Sequence, residues 1–204
     1  MRKLMLMLSV ALMSVMTLHA QTTDEIISRM ESEFEKHQPE GVVMTMVIKI
    51  ALVGDIPVNI KTLGDKYLST ALDGSIVSWG DGTTTWTYDK QKNELTIDNA
   101  SAKSDAGDKI GMLDNLTAGY KVKLVKETSQ AWYFKCKKLS SNKNKEDIKK
   151  MELVVDKETY YPVSMETSGL LASITIKDVS FGVTEDEVIY DPALYSGAKI
   201  IDKR

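Results

Sequence analysis

Nucleophilic and acid–base chemistry near neutral pH draws first on histidine and cysteine, and this sequence holds two of the former and one of the latter. His19 falls in an apolar leader. That leaves His37, at the end of a charged helical run, where an imidazole favours the helix C-terminus. Cys136 stands between Lys135 and Lys137 in a strand-like run, with no second thiol to pair with it or to resolve an oxidised form. A Ser-His-Asp or Cys-His site would require His37 to meet a serine or Cys136 across the fold, and no spacing points to that. The same scarcity leaves no zinc-like ligand set, and Asp81 between Gly80 and Gly82 reads as a turn residue rather than a calcium ligand. Asn99-Ala-Ser and Asn115-Leu-Thr fit the glycosylation sequon and read as chance matches. The expectation is a protein that is not an enzyme and uses no cofactor and no metal.

What the chain holds in supply is adaptable apolar surface. Met30, Met44, Met46, Met112, Met151 and Met165 follow the leader. Methionine is flexible and polarizable, so it lines surfaces that accept apolar chains of variable shape. The same side chain also fills ordinary cores, and pattern alone leaves core and cavity both open.

Those side chains are positioned by a mostly β pattern. Thr22 and Glu25 have capping-box spacing, and Ile26, Ile27, Met30 and Phe34 form an apolar stripe on a helix running to about His37, stopped by Gln38-Pro39-Glu40-Gly41. From Val42 the period changes to two: Val42, Met44, Met46, Ile48 and Ile50 share one face, and Ile56, Val58 and Ile60 repeat the alternation. Ser78 to Asp89 reads as a hairpin turning at Gly80-Asp81-Gly82, with Trp86 and Tyr88 on one face. Residues 99–117 interrupt the strands with a polar stretch followed by an amphipathic one, which reads as a lid. Ten or eleven strands joined by short turns, without βαβ rhythm, predict a mainly β chain with a few helices: one large curled antiparallel sheet with helical matter on its concave face.

Arg2 and Lys3, an apolar run from Leu4 to Leu18, and His19-Ala20-Gln21 have the outline of a signal peptide cut after about Ala20, leaving 21–204 as one exported domain with no lipid anchor of its own. Removing the leader leaves 24 Lys and Arg against 29 Asp and Glu, a formal net charge of −5 instead of −3. A mildly acidic chain with scattered lysines is a poor partner for nucleic acid, and the basic run from Lys143 to Lys150 reads as a solvated loop.

The order of parts resembles the LolA family of periplasmic carriers of outer-membrane lipoproteins. The residues that carry the resemblance are Ile26-Ile27-Ser28-Arg29-Met30, the hairpin Asp81-Gly82-Thr-Thr-Thr-Trp86-Thr-Tyr88-Asp89, the Trp132-Tyr133-Phe134 strand, and Tyr190-Asp191-Pro192 with the terminal Gly197 to Arg204. The resemblance implies an unclosed β-barrel with a helical lid over an apolar cavity for lipoprotein acyl chains. It implies a monomer in the periplasm of a Gram-negative bacterium, loaded by an inner-membrane lipoprotein-releasing transporter and unloaded at an outer-membrane acceptor. A lipid-sensing module of the same fold, without transfer, is the alternative. On this reading the cavity and lid are lined by Ile26, Met30, Phe34, Met44, Met46, Ile48, Val58, Ile60, Leu68, Trp86, Tyr88, Ile110, Met112, Leu113, Trp132, Phe134, Met165, Ile174 and Ile176. The family often carries an arginine ahead of a Pro-Asn-x-Phe strand to tie the lid shut. Here the run is Leu63-Gly64-Asp65-Lys66-Tyr67, and Lys61 or Lys66 would be a non-bidentate substitute.

Overall fold

The computed structural model describes residues 21–100, 116–143, 148–168 and 172–204. The leader, Ile110, Met112 and Leu113 of the expected lid, and the middle of the basic run therefore lie outside the described residues.

Helix α1 (Thr23–His37) starts where the sequence places it: Thr22 N–H donates to Glu25 Oε2 at 2.8 Å and Glu25 N–H to Thr22 Oγ1 at 3.3 Å. Ile26, Ile27, Met30 and Phe34 are its buried stripe. A single 3₁₀ turn (Gln38–Glu40) ends it, and Gly41 swings the chain into the sheet at φ +82°, where a Cβ would lie 2.6 Å from Val183 Cβ and 2.8 Å from the Thr62 carbonyl.

The strands are β1 (Val42–Ile50), β2 (Gly54–Leu63), β3 (Lys66–Ala71), β4 (Ile76–Gly80), β5 (Thr84–Asp89), β6 (Glu94–Asn99), β7 (Tyr120–Glu127), β8 (Ala131–Lys138), β9 (Lys150–Asp156), β10 (Pro162–Ser168), β11 (Ala172–Phe181) and β12 (Lys199–Asp202), with a one-turn helix α2 (Leu116–Gly119) before β7. They form one sheet of order β12-β6-β5-β4-β3-β2-β1-β11-β10-β9-β8-β7, whose edge strands β12 and β7 are not bonded to each other. The barrel is unclosed. All neighbours are antiparallel except β12, which runs parallel to β6. The sequence expects ten or eleven antiparallel strands; twelve are described, and the terminal one, which the resemblance places between Gly197 and Arg204, runs parallel, a direction that a period argument does not set.

The sheet is strongly curled. Ile60 of β2 belongs to the cluster that also buries α1, and Val122 and Leu124 of β7 pack against it. Flat, the seven neighbouring strands from β2 to β7 would span about 29 Å, far wider than a helix of about 10 Å.

Register defines the two faces. Met44 pairs with Ile60, Ile60 with Ser69, Ser69 with Ser78, Ser78 with Thr87 and Thr87 with Thr96, so these six residues share the concave face. Leu68, Trp79, Trp86 and Ile97 form a parallel row on the convex face. There residues 184–198 lie across the strands: Tyr190 stacks on Trp86 at 4.9 Å, and Tyr195 meets Trp79 at 5.1 Å and Tyr88 at 4.7 Å. Leu68, Trp86 and Tyr88 are thus not on the concave side. Alternation establishes that Trp86 and Tyr88 share a face, but which face is inward is set by β3 and by the C-terminal segment that covers them.

Candidate functional site

The concave side has two regions. Over β1, β2 and β7 to β11 it is apolar and filled: Ile26, Met30 and Phe34 pack with Met44, Met46, Ile60, Trp132, Phe134, Met151, Met165 and Ile176 in one buried cluster, with Ile48, Val58 and Ile174 against its border. The expectation of a hollow interior is not met there among the described residues, because α1 occupies it.

Burial then falls along β1. Met46 is 3 % exposed and Ile50 37 %, on the same face of one strand. At this open end lies a groove of about 540 Å³ walled by the concave-face residues Ile56, Val58, Ser69, Ala71 and Ile76, with Leu72 and Asp73 at its lip. That volume is within the range of small-molecule sites. Of the eleven large hydrophobics exposed among the described residues, six (Ile50, Leu52, Val53, Ile56, Leu72 and Ile76) ring this end of the sheet. Such a concentration marks an interaction site rather than ordinary surface. A second depression, of about 470 Å³, is lined by Lys135, Lys137, Lys150, Glu152 and Glu166 together with Cys136 and Met151.

Leu52 is the least expected member. It is fully exposed and sits at φ +72° in the turn closed by Val53 N–H donating to the Ile50 carbonyl at 3.1 Å. A turn with positive φ at its third residue favours Gly or Asn, and a branched side chain there costs of order 1 kcal/mol. Leu52→Asn should therefore stabilise the fold by about 0.5–1 kcal/mol, read as a higher denaturation midpoint at unchanged m-value.

The attachment of α1 was not legible in advance. Arg29 lies over the Tyr160 ring at 3.9 Å, the Tyr160 hydroxyl donates to Gln21 Oε1 at 2.9 Å, and Glu31 accepts from the Thr117 N–H and hydroxyl at 3.3 and 3.4 Å. Tyr160 itself is buried at φ +61° against Trp132, held there by the Asp156 turn that bonds Glu158 and Thr159. A positive φ on a buried tyrosine carries no sequence signature beyond the preceding Asp-x-x-Thr. The lysines offered as latches do something else: Lys61 pairs with Glu187 and Lys66 with Glu185, tying the C-terminal segment to the convex face. The Lys61 ammonium, with the Thr184 N–H, pulls Glu187 down to about 2.

An uncharacterized conserved protein from Thermus thermophilus superposes on this chain with a TM-score of 0.53 at 14 % identity, over 86 % of this chain and 98 % of that one. The fold is shared. MucB, solved in complex with MucA(peri), matches at a TM-score of 0.46 and 13 % identity, over 86 % of this chain and 62 % of that one. LolA superfamily protein NE2245 from Nitrosomonas europaea matches at 0.33 and 8 %, over 82 % and 98 % of the two chains. No family model matches the chain, and no curated protein does.

His37 and Cys136 do not meet any partner for catalysis among the described residues. His37 packs between Tyr161 and Phe181 and contacts Glu40 Oε1 through Nδ1 at 2.7 Å. Cys136 faces the core, and burial pushes its thiol up to about 11 from an ordinary 9.0. That shift leaves roughly a hundredfold less thiolate at any given pH below both values. Iodoacetamide at pH 8 should leave the folded protein unmodified and label it promptly in guanidinium, as read by intact mass. Labelling of the native form would mean that the β8 region opens.

Proposed function

We propose that this protein binds acyl chains on the concave side of its sheet and carries lipoproteins through the periplasm, from a releasing transporter at the inner membrane to an acceptor at the outer membrane. The observation that supports this most is the gradient along the concave face. One helix covers a methionine-rich apolar surface, and the same surface runs out uncovered into a groove with an aliphatic rim. A chain entering the groove extends toward Met46 as α1 lifts, and the flexible methionines repack around it. Each methylene taken from water contributes about 0.8 kcal/mol, so ten or so account for micromolar binding without any covalent chemistry. No turnover is assigned to the protein.

The test is direct. Protein taken from the envelope of its host, analysed by native mass spectrometry, should carry lipid or lipoprotein, and the purified protein should release acylated protein from inner-membrane vesicles. Protein that always emerges empty and releases nothing would end this reading. A stable complex with a membrane protein, without transfer, would replace it with the sensing module.

A further inference from the structure

The groove is bordered on one side by a surface that no apolar chain needs. Across β3 to β6 the concave face carries a continuous row of hydroxyls, Ser69, Ser78, Thr87 and Thr96, each paired with the next across the sheet. With strands about 4.8 Å apart the row is about 14 Å long. Ser69 also walls the groove, so row and groove meet. Ser78 and Thr87 bond to each other at 3.1 Å, whereas Ser69 and Thr96, at the two ends, are half-buried with hydroxyls that have no hydrogen-bond partner among the described residues. Apart from Tyr67 and Ile76, the rest of this face is small or acidic. Gly80 leaves room for the Tyr67 ring, and Asp89, Glu94 and Asp98 are the charged groups there, with no lysine or arginine on the concave positions of these strands. The two cations nearest the edge are already engaged, Lys92 with Asp89 and Lys199 with Glu94, each at 2.8 Å.

We propose that this row receives the uncharged, polyhydroxyl head of an amphiphile whose chain lies in the groove, and that it selects such heads against anionic ones. The inference rests on the acyl-chain reading above and adds the part of the cargo that reading leaves blank. Hydroxyls both donate and accept, so a row of them matches a sugar-like head at several points without fixing a single orientation. A phosphate or sulfate would lose its water there and meet carboxylates whose lysines are already paired, so the surface disfavours it. An aliphatic wall at one end and hydroxyls along the row align the ligand with its chain toward Ile56 and Val58.

The experiment compares three competitors of equal chain length, dodecyl maltoside, dodecyl phosphocholine and dodecyl sulfate, below their micelle concentrations, in displacing a fluorescent fatty-acid probe from the full chain. The maltoside should compete at least tenfold better than the sulfate in the wild-type protein. In S69A/T96V, which keeps one small and one β-branched side chain in place, that ratio should fall toward one. Equal competition by all three in the wild type overturns the head assignment and leaves chain binding intact, as does a ratio that survives in the variant. Failure of any amphiphile to displace or bind removes the acyl-chain reading, and this inference with it.

Discussion

Phe34→Ala is expected to lower the unfolding free energy by about 3–5 kcal/mol, the range for truncating a buried phenylalanine. Phe34 is 2 % exposed and meets the Phe181 ring edge-on at 5.6 Å, so the space left cannot be refilled from the sheet without moving β11. For a chain of this size the thermal midpoint should fall by roughly 10 °C. Where the loss is felt decides more than how large it is. Arg29 on Tyr160, Gln21 to Tyr160 and Glu31 to Thr117 are polar attachments of α1 that contribute little each, whereas Ile26, Ile27, Met30 and Phe34 are all buried, so the apolar stripe contributes most to holding the helix. Amide hydrogen exchange in the variant should show protection lost across α1 while β8 and β9 remain close to wild type, the behaviour of a unit that opens by itself. Equal loss in helix and strands would show that α1 is a fixed part of the core, and the lid would have to be sought elsewhere.

The helix was legible because its signals agree. The capping pair Thr22 and Glu25, the stripe at Ile26, Met30 and Phe34, and the Pro39-Gly41 stop all fall at helical spacing. The row Val42, Met44, Met46 was legible for the same reason at period two, and its decline in burial toward Ile50 was not, because the sequence is as apolar at that end as at the other. The hairpin at Gly80 to Gly82 announced itself through turn chemistry, yet its aromatics lie on the side opposite to the one expected. Large aromatic residues are the natural candidates for an interior, and here a segment roughly a hundred residues later, bearing Tyr190 and Tyr195, makes a second interior on the convex face. Once Trp86 and Tyr88 point outward, Thr85 and Thr87 must point inward. The hydroxyl row therefore follows from the same fact that corrected the aromatic assignment, and it narrows the apolar lining to the strands on the α1 side.

That narrowing makes the groove testable by filling it. Ala71 sits opposite Val58 on the concave face, half-buried in the groove wall. Ala71→Trp adds a ring into space that is already open, on a strand position where an aromatic is favourable, so stability should change by less than about 0.5 kcal/mol. Displacing about three methylenes of a bound chain costs about 2.4 kcal/mol, which is close to fiftyfold in affinity. Displacement of a fluorescent fatty-acid probe reads this directly, with Ala71→Ser as the control of nearly unchanged size. Wild-type affinity in Ala71→Trp, with the fold intact by circular dichroism, would place the acyl chains under α1 alone and make the groove only a vestibule. Weaker binding in Ala71→Trp together with tighter binding in Phe34→Ala, whose helix leaves the space more readily, is the result expected of one continuous path, in which a chain enters at Ile76, passes Val58 and ends against Met46.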